Sequence, residues 1–126
     1  MQRVTGIGGI FFAANDPAAL QAWYQQHLGI DLEPWGGCVF KWPDDPTVKN
    51  DGGSTVWTIA DRNNLLKDSP GGFMINYRVA DLDALLTALR DEGCQVLEKI
   101  EDSEYGKFGW VIDPEGNKVE LWQPPS

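Results

Sequence analysis

The chain has 126 residues, 42% of them hydrophobic and 11% aromatic, with a formal net charge of −9. That length builds one domain with a core of its own, and that composition excludes a disordered chain. The acidity repels phosphate backbones and argues against a nucleic-acid partner, while no apolar run approaches the roughly 20 residues of a membrane helix.

From the N-terminus, Met1-Gln2-Arg3-Val4 shows no basic segment followed by an apolar one, so no export signal is read and a cytoplasmic location is expected. Cys38 and Cys94 lack CxxC spacing and are expected as reduced thiols in small apolar spaces. The first expected strand covers about 6–13. "GIGG" (6–9) lacks the GxGxxG spacing of a dinucleotide loop and precedes a strand, not a helix. Asp16 suits a helix N-cap, where a carboxylate accepts orphan backbone N–H groups, and Pro17 suits the first helical position. Leu20, Trp23, Tyr24, His27 and Leu28 then mark one stripe of a helix that stops at Gly29.

Further strands are expected at 30–34, 37–42 and 54–60, with a loop at 43–53 and a linker at 61–72. The pattern then starts again. A strand at 73–79 leads through Asp81 into a helix with Leu82, Leu85, Leu86 and Leu89 on its inner face, ending at Gly93. Strands follow at 95–100, 106–112 and 117–122, the last two joined by the turn sequence "DPEG" (113–116). Residues 1–126 thus form one α+β domain of two tandem βαβββ modules, about 4–60 and 73–124.

The doubled module, the helix "WYQQHLGI" (23–30) and the terminal "GKFGWVIDPEGNKVELW" (106–122) resemble the vicinal oxygen chelate superfamily of glyoxalases, bleomycin-resistance proteins and extradiol dioxygenases. The resemblance implies a curved mixed sheet around a concave cleft, helices on the convex side, and a homodimer. Metal-using members take ligands, usually His, Glu or Gln, from four strand positions. Carried onto this chain, those positions are Gly9, Trp57, Met74 and Glu120. Glycine offers no side chain, indole only donates and a thioether suits hard divalent ions poorly. No metal or other cofactor is therefore expected.

Glu120 stands between Val119 and Leu121 in an apolar strand, where it is read as a metal ligand, a general base, half of an ion pair or a solvated edge residue. A four-residue loop at 113–116 would pair Ile112 with Asn117 and set Gly109 opposite Glu120. Strand alternation would then place Val119, Leu121, Phe108, Trp110 and Ile112 toward the helices. Glu120, Trp122 and Lys107 would face the cleft, together with Phe11, Trp57, Met74, Asn76 and Arg78. Tyr105 is a candidate cap, and Arg78 or Lys107 a candidate ion-pair partner for Glu120. The leading expectation is a metal-independent protein binding a small organic molecule, planar or cationic, in this aromatic cleft. The alternative is a glyoxalase-type lyase or isomerase with Glu120 as catalytic general base.

Overall fold

The computed structural model describes residues 3–42, 53–61 and 72–125, so most of the loop at 43–53 and of the linker at 61–72 lies outside the described residues. The elements are β1 (Val4–Ala14), α1 (Pro17–Leu28), β2 (Gly37–Lys41), β3 (Ser54–Asp61), β4 (Phe73–Val79), α2 (Leu82–Asp91), β5 (Gln95–Val96), β6 (Glu101–Ser103), β7 (Gly106–Ile112) and β8 (Lys118–Gln123).

Both helices begin in the same way. The Ala19 amide donates to the Asp16 carboxylate and the Ala84 amide to that of Asp81, each at 3.1 Å. These contacts satisfy N–H groups that have no partner inside the helix. Gly29, with φ of 68°, ends α1 in the left-handed conformation that a side chain would disfavour.

The strands form one curved mixed sheet in the order β2-β3-β1-β4-β8-β7-β5, with β6 pairing β7 beside that path. Its centre is the antiparallel pair β1 and β4. Each of these carries a parallel neighbour, β3 or β8, and then an antiparallel one, β2 or β7. The sequence repeat is thus a spatial repeat about the β1–β4 seam. Both helices cover one face. Leu82, Leu85 and Leu86 of α2 pack with Val79 and Leu121, while Leu20 and Tyr24 of α1 pack on Ala14, Cys38, Trp57 and Ile59. On the opposite face Met74 and Trp110 form a third cluster with Phe11, Ala13, Leu97 and Phe108.

Three expectations change. No strand forms at 30–34, because Gly36 donates to the Glu33 carbonyl in a turn that Pro34 and the positive φ of Gly36 favour. The expected strand 95–100 shrinks to β5, with the Leu97 amide still donating to the Trp110 carbonyl and its side chain packing on the third cluster. The α1 stripe is only partly internal: Leu20 and Tyr24 face the sheet, but Trp23 is 50% and Leu28 61% exposed. Among the described residues no helix is long and apolar enough to cross a membrane.

Leu86 is 1% exposed and Trp23 half exposed, which separates their expected contributions. In urea unfolding, Leu86→Ala should lower stability by about 2–5 kcal/mol through transfer and cavity costs. Trp23→Ala should change it by no more than about 0.5 kcal/mol.

Candidate functional site

Strand pairing brings three side chains into a row on the face away from the helices. Parallel pairing sets Asn76 beside Glu120, and antiparallel pairing sets Trp110 on its other side. The Asn76 amide nitrogen donates to Glu120 Oε1 at 2.6 Å, and the Trp110 indole nitrogen donates to Oε2 at 3.0 Å. Glu120 is 5% exposed. Burial pushes its carboxyl pKa up, because water no longer solvates the charged form. The two donors oppose that rise, as does Lys118, while the Glu101 charge adds to it. The ammonium groups of Lys99 and Lys118 lie 5.7 and 5.6 Å from the Trp110 ring centroid.

An ionised carboxylate only accepts hydrogen bonds, so it dictates how Asn76 is turned. The amide nitrogen faces Glu120, and Oδ1 points the other way, buried and without a partner among the described residues. Gly8 gives that oxygen room: a Cβ at residue 8 would lie 2.2 Å from it.

Asn76 also lines a cleft of about 630 Å³ on this face. Gly8, Gly9 and Phe11 of β1, Val39 of β2, Ser54 and Val56 of β3, Phe108 of β7 and Trp122 of β8 form its floor and walls, and Trp35, Glu104, Tyr105 and Pro125 its rim. Phe108 and Trp122 pair across β7 and β8 and lie nearly parallel, 7° between planes and 6.0 Å between centroids. The Trp122 indole donates to the Tyr105 carbonyl at 2.7 Å. That turn depends on Gly106, whose φ is 111° and where a Cβ would meet the Gln123 carbonyl at 2.2 Å. The Arg78 guanidinium sits 5.1 Å above Trp122.

Of the residues expected here, Phe11, Asn76 and Trp122 line the cleft. Arg78 shares their face through its pairing with Trp122, and Met74, 1% exposed, lies in the cluster behind the wall. Glu120 is on the expected face but stands behind Asn76 rather than lining the cavity.

Two placements are corrected. Trp57 packs against Phe12 and Tyr24 on the helix side, and its neighbour Val56 takes the cleft position. Lys107 also points to the helix side, where its ammonium binds Asp83 of α2 at 3.0 Å. Neither Arg78 nor Lys107 pairs with Glu120, whose partners are neutral. The missed partner is Trp110.

The cause is the β7–β8 loop. Asp113 donates its backbone N–H to the Asn117 carbonyl, so the pairs become Ile112 with Lys118, Trp110 with Glu120 and Gly109 with Leu121. That one-residue slip turns Phe108, Trp110 and Ile112 to the cleft side and Lys107 away from it. "DPEGN", with Gly116 at φ 87°, is the signal for the shorter loop: Pro early in the turn, then a left-handed glycine. Cys38 is buried as expected, but Cys94 is exposed and fills no apolar space.

The four family metal positions do not fit an ion. Gly9 has no side chain, Met74 is enclosed among apolar neighbours, Trp57 lies on the helix side and both Glu120 oxygens hold donors. Among the described residues no group of three or more His, Cys, Asp or Glu is arranged to hold a metal.

A sequence profile described as a glyoxalase-like domain matches residues 9–122. The chain belongs to that family. With it comes membership of the glyoxalase/bleomycin-resistance/dioxygenase superfamily. No curated protein sequence matches this glyoxalase-like domain. Among solved structures, methylmalonyl-CoA epimerase from Mycobacterium tuberculosis is similar, with 22% identity and a TM-score of 0.64 over 100% of this chain and 92% of that one. A Streptomyces coelicolor methylmalonyl-CoA epimerase variant in complex with 2-nitronate-propionyl-CoA aligns at 20% identity and a TM-score of 0.67, covering 98% and 99%. A glyoxalase/bleomycin resistance protein/dioxygenase superfamily member from Vibrio splendidus 12B01 aligns at 16% identity and 0.58, covering 93% and 97%. At these identities the likeness shows the fold alone.

Because folding raises the Glu120 pKa above its unfolded value, this residue supports stability most below the unfolded carboxyl value of about 4.3 and loses that contribution as pH rises through the raised folded value. Urea unfolding across pH should show Glu120→Gln gaining on the unmodified protein as pH rises through that window, with a constant difference below it. A difference that moves the other way would show that hydrogen bonding outweighs burial.

Proposed function

We propose that this protein binds a small planar organic molecule in the concave cleft without help from a metal ion. The observation that carries this reading is the make-up of the cavity. About 630 Å³ of space is walled by Phe11, Phe108 and Trp122 and lined also by Asn76, whose amide oxygen is buried and has no partner among the described residues. Ligand sites combine mostly apolar walls with a few placed polar groups in this way, and leaving an acceptor buried and unpaired is costly. Arg78 already holds the cation position over Trp122, so the acidity of the whole chain gives no cation preference at that ring. A homodimer is part of the same proposal, supported by the half-exposed rings of Trp23, Phe40 and Phe73.

A second reading is a glyoxalase-type lyase or isomerase with Glu120 as general base. The raised carboxyl pKa favours it. The geometry weighs against it, since both carboxylate oxygens already accept hydrogen bonds and Asn76 stands between Glu120 and the cavity. Hemithioacetal turnover that vanishes in Glu120→Gln would put this reading first.

Calorimetric titration with a panel of planar aromatic compounds should reveal saturable binding. Trp122→Ala should weaken it by about threefold or more through lost stacking. Lys107→Ala should leave the affinity unchanged. Absence of saturable binding, or equal losses in the two variants, would overturn the proposal.

A further inference from the structure

Asn76 is 3% exposed and lines the cleft, with one side of its amide fixed and the other unsatisfied. The fixed side is the nitrogen, held at 2.6 Å by Glu120 Oε1. Trp110 donates to the remaining carboxylate oxygen. We infer that Glu120 is a positioning residue that sets the hydrogen-bonding sense of the cleft: it holds Asn76 with the amide oxygen toward the ligand, and so selects planar molecules with an N–H or O–H donor on their edge. This inference rests on the binding reading above and adds the ligand class and the residue that chooses it.

The amide oxygen and NH2 group have nearly the same shape and opposite hydrogen-bonding character, so rotating the amide by half a turn changes what the cleft offers without moving its walls. An ionised Glu120 forbids that rotation, since Oδ1 would then face a carboxylate oxygen. A protonated Glu120 reverses the requirement. Trp110 still needs an acceptor and keeps Oε2, so the proton sits on the oxygen facing Asn76. The amide turns to accept it, and the NH2 group faces the ligand. The groups acting on this equilibrium are Asn76 from β4, Trp110 from β7, Glu101 from β6 and Lys118 from β8, with the Lys99 ammonium 5.7 Å from the Trp110 ring centroid. Gly8 completes the device, because any side chain there would occupy the space in front of the amide.

Glu120→Gln imitates the protonated state. Glutamine has one acceptor oxygen, which Trp110 claims, so its NH2 group faces Asn76 and turns the amide over. The probes are indole, a donor without an acceptor, and quinoline N-oxide, an acceptor without a donor. Calorimetry on the unmodified protein, at a pH above the raised Glu120 value, should show indole preferred by roughly tenfold, the scale of one buried hydrogen bond made or missed. Glu120→Gln should reverse that order.

Lowering the pH of the unmodified protein through the raised Glu120 value should move the preference in the same direction, which tests the inference even if the variant folds poorly. Binding of both probes with an unchanged order in the variant and across pH would overturn this inference and leave the binding reading intact. Failure of both probes to bind the unmodified protein would overturn the two together.

Discussion

Glu120 lies almost out of reach of water, held between the amide of Asn76 and the indole of Trp110. A buried carboxylate is costly unless its oxygens are hydrogen-bonded, and here each oxygen receives one neutral donor, with no ion pair among the described residues. Because the donors come from β4 and β7 while the acid comes from β8, this contact fixes three neighbouring strands on the cleft side, as α2 does on the other. It also fixes one polar atom, Asn76 Oδ1, that has no partner among the described residues. The orientation of Asn76, the need for glycine at residue 8 and the polarity of the cavity floor all follow from it.

The two modules treat the equivalent place differently. Phe11 stands five residues before the cap Asp16, as Asn76 stands five before Asp81, and Phe11 pairs with Thr58 as Asn76 pairs with Glu120. The first module therefore has an aromatic ring and a buried hydroxyl without a partner among the described residues where the second has an amide and an acid. One half of the cleft supplies apolar surface and the other supplies direction. A duplicated fold lends itself to this division, since each half keeps its caps and its helix packing while the cleft side chains diverge.

Much of the fold was legible because its signals are local. Asp16 and Asp81 mark helix starts, glycines mark their ends, and β4 and β7 fall on the expected residues. The face of Glu120 was legible as well, since it follows from alternation within a single strand. What sequence could not supply was the register between strands. A loop of three residues, 114–116, where four were expected, shifts the pairing by one, turns Trp110 to the cleft side and makes it the partner of Glu120. In β3 both alternating faces carry residues fit for burial, so only packing of Trp57 beneath Tyr24 decides that Val56 is the cleft residue. Lys107 was misplaced by the same slip, and its ion pair with Asp83 is a contact between distant segments that no local pattern announces.

The most direct measurement follows the carboxyl carbon of Glu120 and the side-chain amide of Asn76 by NMR across a pH titration of the uniformly labelled protein. The account predicts that the carbon titrates above the ordinary carboxylate range and that the Asn76 amide signals shift with the same midpoint. A Glu120 carbon that titrates within the ordinary range, or an Asn76 amide indifferent to it, would contradict the account.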